Sequence, residues 1–279
     1  MGDATTFSSA VLRIERDGHL ATLWLDRPEA RNAMGSAFFA DLARAVIALE
    51  DDDQVRAIVV AAEGPHFSVG LDLKEVASGG GFGGGSPSSP AARAVALRKN
   101  VLRWQEALTA LAHCPKPSVA AVHGYCLGGG IDLIAACDLR YCSDDAVFSV
   151  RETKVAIVAD LGSLQRLPRL IGQGQVNELA LTGKDFSASR AKEIGLVNET
   201  GPGREGALEL ARAAAAEIAA NSPLAVAGTK AVLAANDGRT IAEGLDYVAT
   251  WNASQLASDD LTEAMTAFME KRPPNFTGR

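Results

Sequence analysis

Cysteines and aromatic residues are scarce in this chain of 279 residues. Only four cysteines are present and no C-x-x-C pair occurs, which argues against a disulfide framework. Three of the four lie within apolar runs, so we expect buried free thiols in a reducing compartment: Cys114, Cys126, Cys137 and Cys142. Aromatic residues make up 5% of the chain and alanine is abundant. The core is therefore expected to consist mainly of alanine, valine, leucine and isoleucine.

The sequence also lacks segments that direct a protein to a membrane or anchor it there. No basic segment followed by an apolar stretch opens the chain, and no uncharged apolar run reaches about 18 residues. The final residues, "NFTGR", are not a peroxisomal address. The net charge of −7 argues against nucleic acid as the main partner, because such binding neutralises phosphates with basic residues. We therefore expect a cytoplasmic protein with neither a membrane nor a nucleic-acid partner.

Short apolar strands alternate with amphipathic helices along roughly the first 200 residues. The stretch "VLRIERDGHLATLWLDRP" predicts a β-hairpin that turns at Asp17-Gly18, and "VRAIVVAAEG" and "SVAAVHG" predict buried strands. This order is typical of an α/β core with parallel strands. Further on, four residues predict one buried helix face: Leu208, Ala211, Ala215 and Ile218. We predict an α/β core over residues 1–200, and a helical region over 201–279 that covers a partner or closes a site.

Glycines cluster where a strand meets a helix, in "HGYCLGGG". Gly124 followed by Gly128, Gly129 and Gly130 does not fit the dinucleotide fingerprint, and the Lys-Ser/Thr of a phosphate loop is missing. One interpretation is that the glycines only allow close packing of helix on strand. The other is that N–H groups at the helix N-terminus bind a developing negative oxygen, together with a second turn at Gly70. Neither a Ser-His-Asp arrangement nor G-x-S-x-G is evident, so an enolate oxygen fits better than a tetrahedral adduct.

Three carboxylates lie in the most apolar third of the chain: Asp132, Glu152 and Asp160. Acids are rarely buried unless they are paired or functional. Each has a structural interpretation: Asp132 as a cap of the helix after the glycines, Glu152 as a surface partner of Arg151, and Asp160 as the N-cap of the next helix. The alternative is a shared pocket in which the acids transfer protons, with burial and mutual repulsion raising at least one pKa.

Four motifs, taken in order, resemble the crotonase superfamily of enoyl-CoA hydratases and isomerases: "LDRPEARNAM", "FSVGLDLKE", "PKPSVAAVHGYCLGGGIDL" and "LGSLQRLPRLIG". The likeness runs from about residue 11 to the C-terminus. It implies a spiral of repeated β-β-α units with a C-terminal helical region, assembled as a trimer or a dimer of trimers. It also implies an acyl-CoA thioester whose carbonyl oxygen is held by the N–H groups of Leu71 and Gly129. Residues implied near coenzyme A are Ala30, Arg31, Asn32 and Lys74, with Phe268 and Lys271 approaching a neighbouring subunit's ligand.

The three acids indicate the branch of the superfamily. Hydratases of this family activate and protonate water with two glutamates, whereas here Asp132 stands in the first of those positions and Glu152 in the second. Asp160 occupies a position that is usually glycine in hydratases. The trio is similar to that of the Δ3,5-Δ2,4-dienoyl-CoA isomerases of fatty-acid β-oxidation. By this resemblance Glu152 removes a proton from C2, Asp160 delivers one to C6, and Asp132 orients or tunes both. No cofactor beyond the substrate's coenzyme A and no metal is expected.

Two other functions remain open from the sequence. A 2-enoyl-CoA hydratase would add water across the double bond. A non-catalytic acyl-CoA-binding or RNA-associated member of the fold would bind without turnover, although buried unpaired charge does not help a binding protein. The glycine-rich segment 78–90 is expected to form a flexible loop near the acyl pocket and to limit chain length.

Overall fold

The computed structural model describes residues 4–78 and 89–279, so nearly all of the glycine-rich segment 78–90 lies outside the described residues. The strands are β1 (Ala4–Ser8), β2 (Leu12–Asp17), β3 (Leu20–Leu25), β4 (Ala57–Ala62), β5 (Ser118–Val122), β6 (Tyr125–Leu127), β7 (Leu139–Ser143), β8 (Val147–Ser149), β9 (Phe186–Ser187) and β10 (Glu199–Gly201). The helices are α1 (Ser36–Asp51), α2 (Leu73–Ala77), α3 (Pro90–His113), α4 (Gly129–Ala136), α5 (Ser163–Ile171), α6 (Gln173–Thr182), α7 (Ala188–Glu193), α8 (Gly203–Ala219), α9 (Pro223–Ala235), α10 (Ile241–Gln255) and α11 (Asp259–Glu270).

The main sheet has seven strands in the order β1-β2-β3-β4-β5-β7-β10. Strands β1, β2 and β3 pair antiparallel, and the pairs from β3 to β10 are parallel. The predicted hairpin is present, but Asp17 pairs with Leu20, so its two-residue loop is Gly18–His19, one residue beyond the predicted turn. Gly18 has a φ of +57°, the left-handed backbone that glycine adopts without strain.

The sheet is covered on both faces, as its parallel strands require. Successive β4 residues point to opposite sides: Ile58 and Val60 belong to the core that contains α1 and α3, whereas Val59 packs on the other side. That other side is covered by α8 through Leu208, Ala211, Ala215 and Ala219. The predicted helix face is therefore confirmed for three of its four residues, while Ile218 is only partly buried against this core.

The fold is α/β with a helical C-terminal region, as predicted. The predicted boundary at residue 200 stays a prediction, and α8, just beyond it, packs on the main sheet. All four cysteines are free and buried, as expected. Among residues 4–78 and 89–279, no single helix is long and apolar enough to cross a membrane. Helices α8 and α9 reach that length and composition only as a pair, bent by 109°.

Two features place the site within this fold. A small sheet of β6, β8 and β9 lies beside the main one, and β6 and β8 are parallel. The chain leaves β6 at Leu127, passes through Gly128 and enters α4, while β8 leads directly to the segment that carries Glu152. Because parallel neighbours end at the same edge, the glycine turn and Glu152 are brought together. Helix α6 and four short strands were not predicted from the sequence: β1, β6, β9 and β10.

Candidate active site

One cavity brings together the residues that the sequence singled out. Asp132, Glu152 and Asp160 all line it, and so do Leu71 and Gly129. Its volume is about 750 Å³, counting the space at its open mouth. The rest of the wall is largely apolar, with contributions from Met34, Phe39, Val69, Trp104, Ile157 and Leu161. The arrangement is a few convergent polar groups in an apolar pocket, which is typical of a ligand site.

Two glycine turns are in backbone contact at one wall of this cavity. Gly70 has a φ of +84°, and Gly128, which precedes α4, has a φ of +51°. A methyl group on Gly70 would lie 2.7 Å from the Leu127 carbonyl oxygen and 3.1 Å from the Gly129 nitrogen. Both the backbone conformation and the lack of space therefore require glycine at position 70.

Each turn leaves one N–H group without an acceptor. The Met34 N–H donates to the Gly70 carbonyl at 2.8 Å and the Asp72 N–H donates to the Met34 carbonyl at 3.0 Å, so the Leu71 N–H between them is left over. Gly129 is the first residue of α4, where a helix has no internal acceptor for its N–H. No bond from either N–H is formed within residues 4–78 and 89–279. The cavity thus has two unused backbone donors, one at a helix N-terminus, which suits a negative oxygen.

Asp132 is almost completely buried, with 1% of its surface exposed. Its Oδ1 accepts a hydrogen bond of 2.5 Å from the Ser163 N–H at the start of α5. The carboxylate therefore caps α5 rather than its own helix, contrary to the capping alternative that the sequence left open. Burial raises the pKa of Asp132 to about 7, and the nearby charges of Glu152 and Asp160 add to the rise. A carboxyl group with this pKa is partly protonated at neutral pH.

Replacing Asp132 with asparagine is expected to stabilise the fold at alkaline pH. Between the ordinary carboxyl pKa of 3.8 and the folded-state value of about 7, the folded protein keeps a proton that the unfolded chain has released. Stability is therefore lost as the pH rises through this window, and asparagine does not ionise. We expect the variant to exceed the parent by on the order of 2–4 kcal/mol in free energy of unfolding at pH 8, an advantage that shrinks toward pH 4.

Urea unfolding at pH 4 to 8 measures this difference. Asp145→Asn is the matched control, because Asp145 is exposed in a turn and does not line the cavity. A difference between Asp132→Asn and the parent that stays constant across the pH range would contradict the buried, proton-holding carboxyl.

Glu152 starts a short 3-10 helix, Glu152–Val155, just after β8. Its Oε2 is buried and has no hydrogen-bond partner in the described part of the chain. Its Oε1 would lie 3.2 Å from a methyl group placed on Gly128. Burial raises the pKa of this carboxyl group, and the charge of Asp160 adds to the rise. Arg151 is not its partner, because the Arg151 guanidinium pairs with Asp185. The interpretation of Glu152 as half of a surface ion pair is therefore wrong.

Asp160 lies three residues before the first residue of α5, but it does not cap that helix. The N-cap position is Gly162, and the first N–H group of the helix, that of Ser163, donates to Asp132 instead. The Asp160 backbone carbonyl accepts a hydrogen bond of 2.5 Å from the Gln105 side chain of α3, which anchors the segment. Burial raises the pKa of the Asp160 carboxyl group. Asp160 also lines the cavity. Its charge acts on both Asp132 and Glu152, and that of Glu152 on Asp132, so the titrations of the three acids are coupled.

Comparison with known proteins decides the family. Residues 15–279 match the family described as enoyl-CoA hydratase/isomerase. The chain belongs to this family. It is similar to the peroxisomal Delta(3,5)-Delta(2,4)-dienoyl-CoA isomerase of Arabidopsis thaliana, with 44% identity over 95% of each chain. A mitochondrial protein of the same name from Dictyostelium discoideum is 43% identical over 95% of this chain and 90% of its own length.

Solved structures of the enoyl-CoA hydratase/isomerase family have the same fold. Enoyl-CoA hydratase from Bacillus anthracis superposes with a TM-score of 0.87 at 30% identity, covering 96% of this chain and 100% of that one. Enoyl-CoA hydratase from Mycobacterium smegmatis gives a TM-score of 0.84 at 31% identity, covering 96% of this chain and 99% of that one. The crotonase-like fold predicted from the four motifs is confirmed.

The residues implied to contact coenzyme A in this family lie outside the cavity wall. Asn32 is buried, and its side-chain amide donates to the carbonyls of Glu63 and His66 at 2.9 Å each, so it organises the loop. Arg31 and Lys74 are exposed, whereas Ala30 is half-buried. Their roles stay predictions.

Phe268 and Lys271 lie at the end of α11, and Phe268 is 79% exposed. An exposed phenylalanine on a helix is consistent with the predicted contact to a neighbouring subunit, which also stays a prediction.

The sequence pattern did not single out most of the apolar wall. Phe39, Trp104 and Ile157 lie in the wall, but no sequence signal marked any of them as part of a site. Met34 lies within the "LDRPEARNAM" motif, and its sulfur would lie 3.2 Å from a methyl group on Gly129. Helical periodicity indicates which face of a helix is covered, but does not distinguish a packed core from the wall of a cavity.

Proposed function

We propose that this member of the enoyl-CoA hydratase/isomerase family converts 3,5-dienoyl-CoA to 2,4-dienoyl-CoA. The observation that carries the proposal is the meeting of three carboxyl groups of raised pKa with two unused backbone donors in one apolar cavity. The named isomerases at 43–44% identity over nearly the whole chain support the same reaction.

The proposed reaction moves one proton off the substrate and another onto it. Glu152 removes a proton from C2, and the electrons spread over the two double bonds and the thioester carbonyl. The resulting dienolate oxygen accepts hydrogen bonds from the N–H groups of Leu71 and Gly129. Asp160 then delivers a proton to C6, which leaves double bonds at C2 and C4. Two acids are needed because the carbon that loses a proton is four bonds away from the carbon that gains one.

The raised pKa values support this division of labour. The base must be ionised and the donor protonated in the same enzyme–substrate complex. Burial and mutual repulsion disfavour simultaneous ionisation of all three acids, so a proton stays in the cavity near neutral pH. Asp132, held by a hydrogen bond from the Ser163 N–H, is the third buried carboxyl group. Its protonation state tunes the proton affinities of Glu152 and Asp160. Glu152 takes the C2 proton and Asp160 supplies the C6 proton, so the reaction as written uses no metal and no cofactor. The next turnover begins once Glu152 has released its proton and Asp160 has taken one up, through the cavity or from solvent.

Hydration of a 2-enoyl-CoA is the alternative, because the similar solved structures carry the name enoyl-CoA hydratase. It is less well supported than isomerisation. One oxygen of Asp132 is held by the backbone of Ser163 inside the protein, and Asp160 adds a third acid that water addition by two carboxylates does not require. A purely acyl-CoA-binding or RNA-associated protein is disfavoured by the cost of burying these carboxyl groups without using them.

A spectrophotometric assay with matched substrates tests the function. We expect a gain of the 2,4-diene chromophore from 3,5-octadienoyl-CoA and little change with crotonyl-CoA, whose conjugated absorbance a hydratase would remove. Faster loss of the crotonyl-CoA absorbance than gain of the diene would reject the isomerase in favour of the hydratase. Tight binding of octanoyl-CoA with no turnover of either substrate would favour the binding protein.

Replacing Gly70 with alanine tests the proposed oxyanion site. The added methyl group would meet the Leu127 carbonyl and the Gly129 nitrogen, so one of the two turns must shift. We expect kcat for isomerisation to fall on the order of 100-fold, the usual effect of losing one oxyanion donor. The matched control is Gly18→Ala, because Gly18 also has a positive φ but has open space around it. Equal kcat in the two variants would contradict the assignment.

We propose that the assembly is a trimer or a dimer of trimers, formed through the helical C-terminal region. Large apolar side chains are exposed on its helices: Leu233, Ile241, Leu245, Met265, Phe268 and Met269. Exposed apolar clusters of this kind mark protein contacts. The cytoplasmic location stays a prediction. The two relatives named above are called peroxisomal and mitochondrial.

A further inference from the structure

A second space lies directly behind one wall of the cavity. It is an open groove between α1 and α3, here named the α1–α3 groove, lined mainly by small or partly exposed side chains: Ala40, Ala43, Ile47, Arg103, Ala107 and Ala110. Of the described residues that line the cavity, only Phe39 and Trp104 also line the groove. These two aromatic side chains therefore separate the two spaces.

The separating wall is a stacked pair of rings. The Phe39 and Trp104 ring centroids are 5.1 Å apart and the ring planes differ by 22°. Phe38 supports Phe39 from the edge at 5.3 Å. Phe39 is 2% and Trp104 7% exposed, so both rings are covered although each borders an open space. A stacked pair held in this way is a firm partition, since aromatic pairs contribute more than their area alone.

The partition and Asp160 line the same cavity, and helix α3 connects them. Gln105, the residue after Trp104 on α3, donates its side-chain hydrogen bond to the Asp160 carbonyl. In the proposed reaction Asp160 delivers a proton to C6. The acyl carbons beyond C6 must then lie in the rest of this cavity, which Phe39 and Trp104 help to line.

We propose, resting on the proposed function, that the Phe39–Trp104 pair sets the acyl chain length that this enzyme accepts. The pair ends the cavity a few carbons beyond C6 and blocks entry of the chain into the α1–α3 groove. Behind it, alanines of both helices form the apolar part of the open groove, beside Arg103 and Glu106, and a longer alkyl chain enters there once the partition is reduced. The segment 79–88 is not needed for this assignment.

The test compares 3,5-octadienoyl-CoA with 3,5-dodecadienoyl-CoA in the full-length protein. Trp104→Leu and Phe39→Leu shorten the partition while keeping an apolar side chain, and far-UV circular dichroism checks that both variants fold. Burying one methylene group raises affinity about fourfold, so burying two more methylene groups of the acyl chain raises it more than tenfold. We expect the ratio of kcat/KM for the longer over the shorter substrate to rise at least tenfold in both variants. Arg103→Ala is the control, because Arg103 lines only the groove, and its ratio should match the parent.

Binding of saturated octanoyl-CoA and dodecanoyl-CoA by calorimetry separates this inference from the proposed function. If the parent isomerises neither dienoyl-CoA but Trp104→Leu still gains affinity for dodecanoyl-CoA over octanoyl-CoA, the isomerase proposal fails and the partition stands. If both folded leucine variants keep the parent's chain-length ratios in turnover and in binding, the partition is overturned. The partition is likewise overturned if Arg103→Ala changes the chain-length ratio as much as the two leucine variants do.

Discussion

Replacing Asp160 with asparagine is expected to reduce kcat for conversion of 3,5-dienoyl-CoA at least 1,000-fold, near the upper part of the range for loss of a general acid. The substitution removes the proton delivered to C6 but changes the volume of the side chain little. The backbone carbonyl of Asp160 still accepts the hydrogen bond from Gln105, so the segment should stay in place. Acyl-CoA affinity should therefore remain within a few fold of the parent, measured as the Kd of octanoyl-CoA.

Hydrogen exchange at C2 gives this prediction a second readout. Glu152 is unchanged in Asp160→Asn, so the base still removes the C2 proton and returns one that has exchanged with solvent. In deuterium oxide we expect deuterium to enter C2 of the substrate while no 2,4-diene forms. Asp145→Asn, with its exposed side chain, serves as the matched control and should behave like the parent. Unimpaired diene formation in Asp160→Asn would remove Asp160 from the mechanism.

The sequence predicted which residues form the site better than it predicted the hydrogen bonds and ion pairs that those residues make. The three acids and the two glycine turns are all found around one cavity, and the hairpin, the parallel strands and the helical tail are where the patterns indicated. These features depend on local signals: alternation of apolar residues, glycine before a helix, and carboxylates in apolar segments.

The bond from Ser163 to Asp132 carries no such local signal. It joins residues 31 positions apart, and it places the Asp132 carboxylate at the start of a helix other than its own. Pairing of this kind depends on how the two helices meet, which a single sequence does not specify. For the same reason the pairing of Arg151 with Asp185, rather than with adjacent Glu152, was not predicted.

The three acids also show why a buried cluster must be interpreted as a unit. Glu152 has a buried oxygen to which no described residue donates, and Asp132 has a pKa of about 7. Both features disfavour the ionised folded state. If stability alone mattered, amides or apolar residues would be favoured at these positions over buried carboxyl groups. Their joint presence beside two unused N–H donors has a consistent explanation if the same groups transfer protons to and from a bound thioester.

Replacing Glu152 with glutamine is expected to abolish both diene formation and hydrogen exchange at C2, whereas Asp160→Asn abolishes diene formation alone. Glutamine cannot accept the C2 proton, so neither diene formation nor deuterium entry at C2 should exceed about a thousandth of the parent rate. The side-chain amide keeps the length of glutamate and its Oε2 position has no partner to lose, so folding should be unaffected. The matched control is Glu193→Gln, because Glu193 is exposed on α7 and does not line the cavity.

The pattern across the two variants is the decisive result. The base is needed for every step, whereas the acid is needed only after the dienolate has formed, so exchange should survive in Asp160→Asn and disappear in Glu152→Gln. The double variant should be no slower in diene formation than Glu152→Gln alone, because residues that act on one reaction path are not additive. Exchange that persists in Glu152→Gln but is lost in Asp160→Asn would reverse the two roles. Exchange retained in both would move the base to another group, of which Asp132, buried beside them, is the one that lines the same cavity.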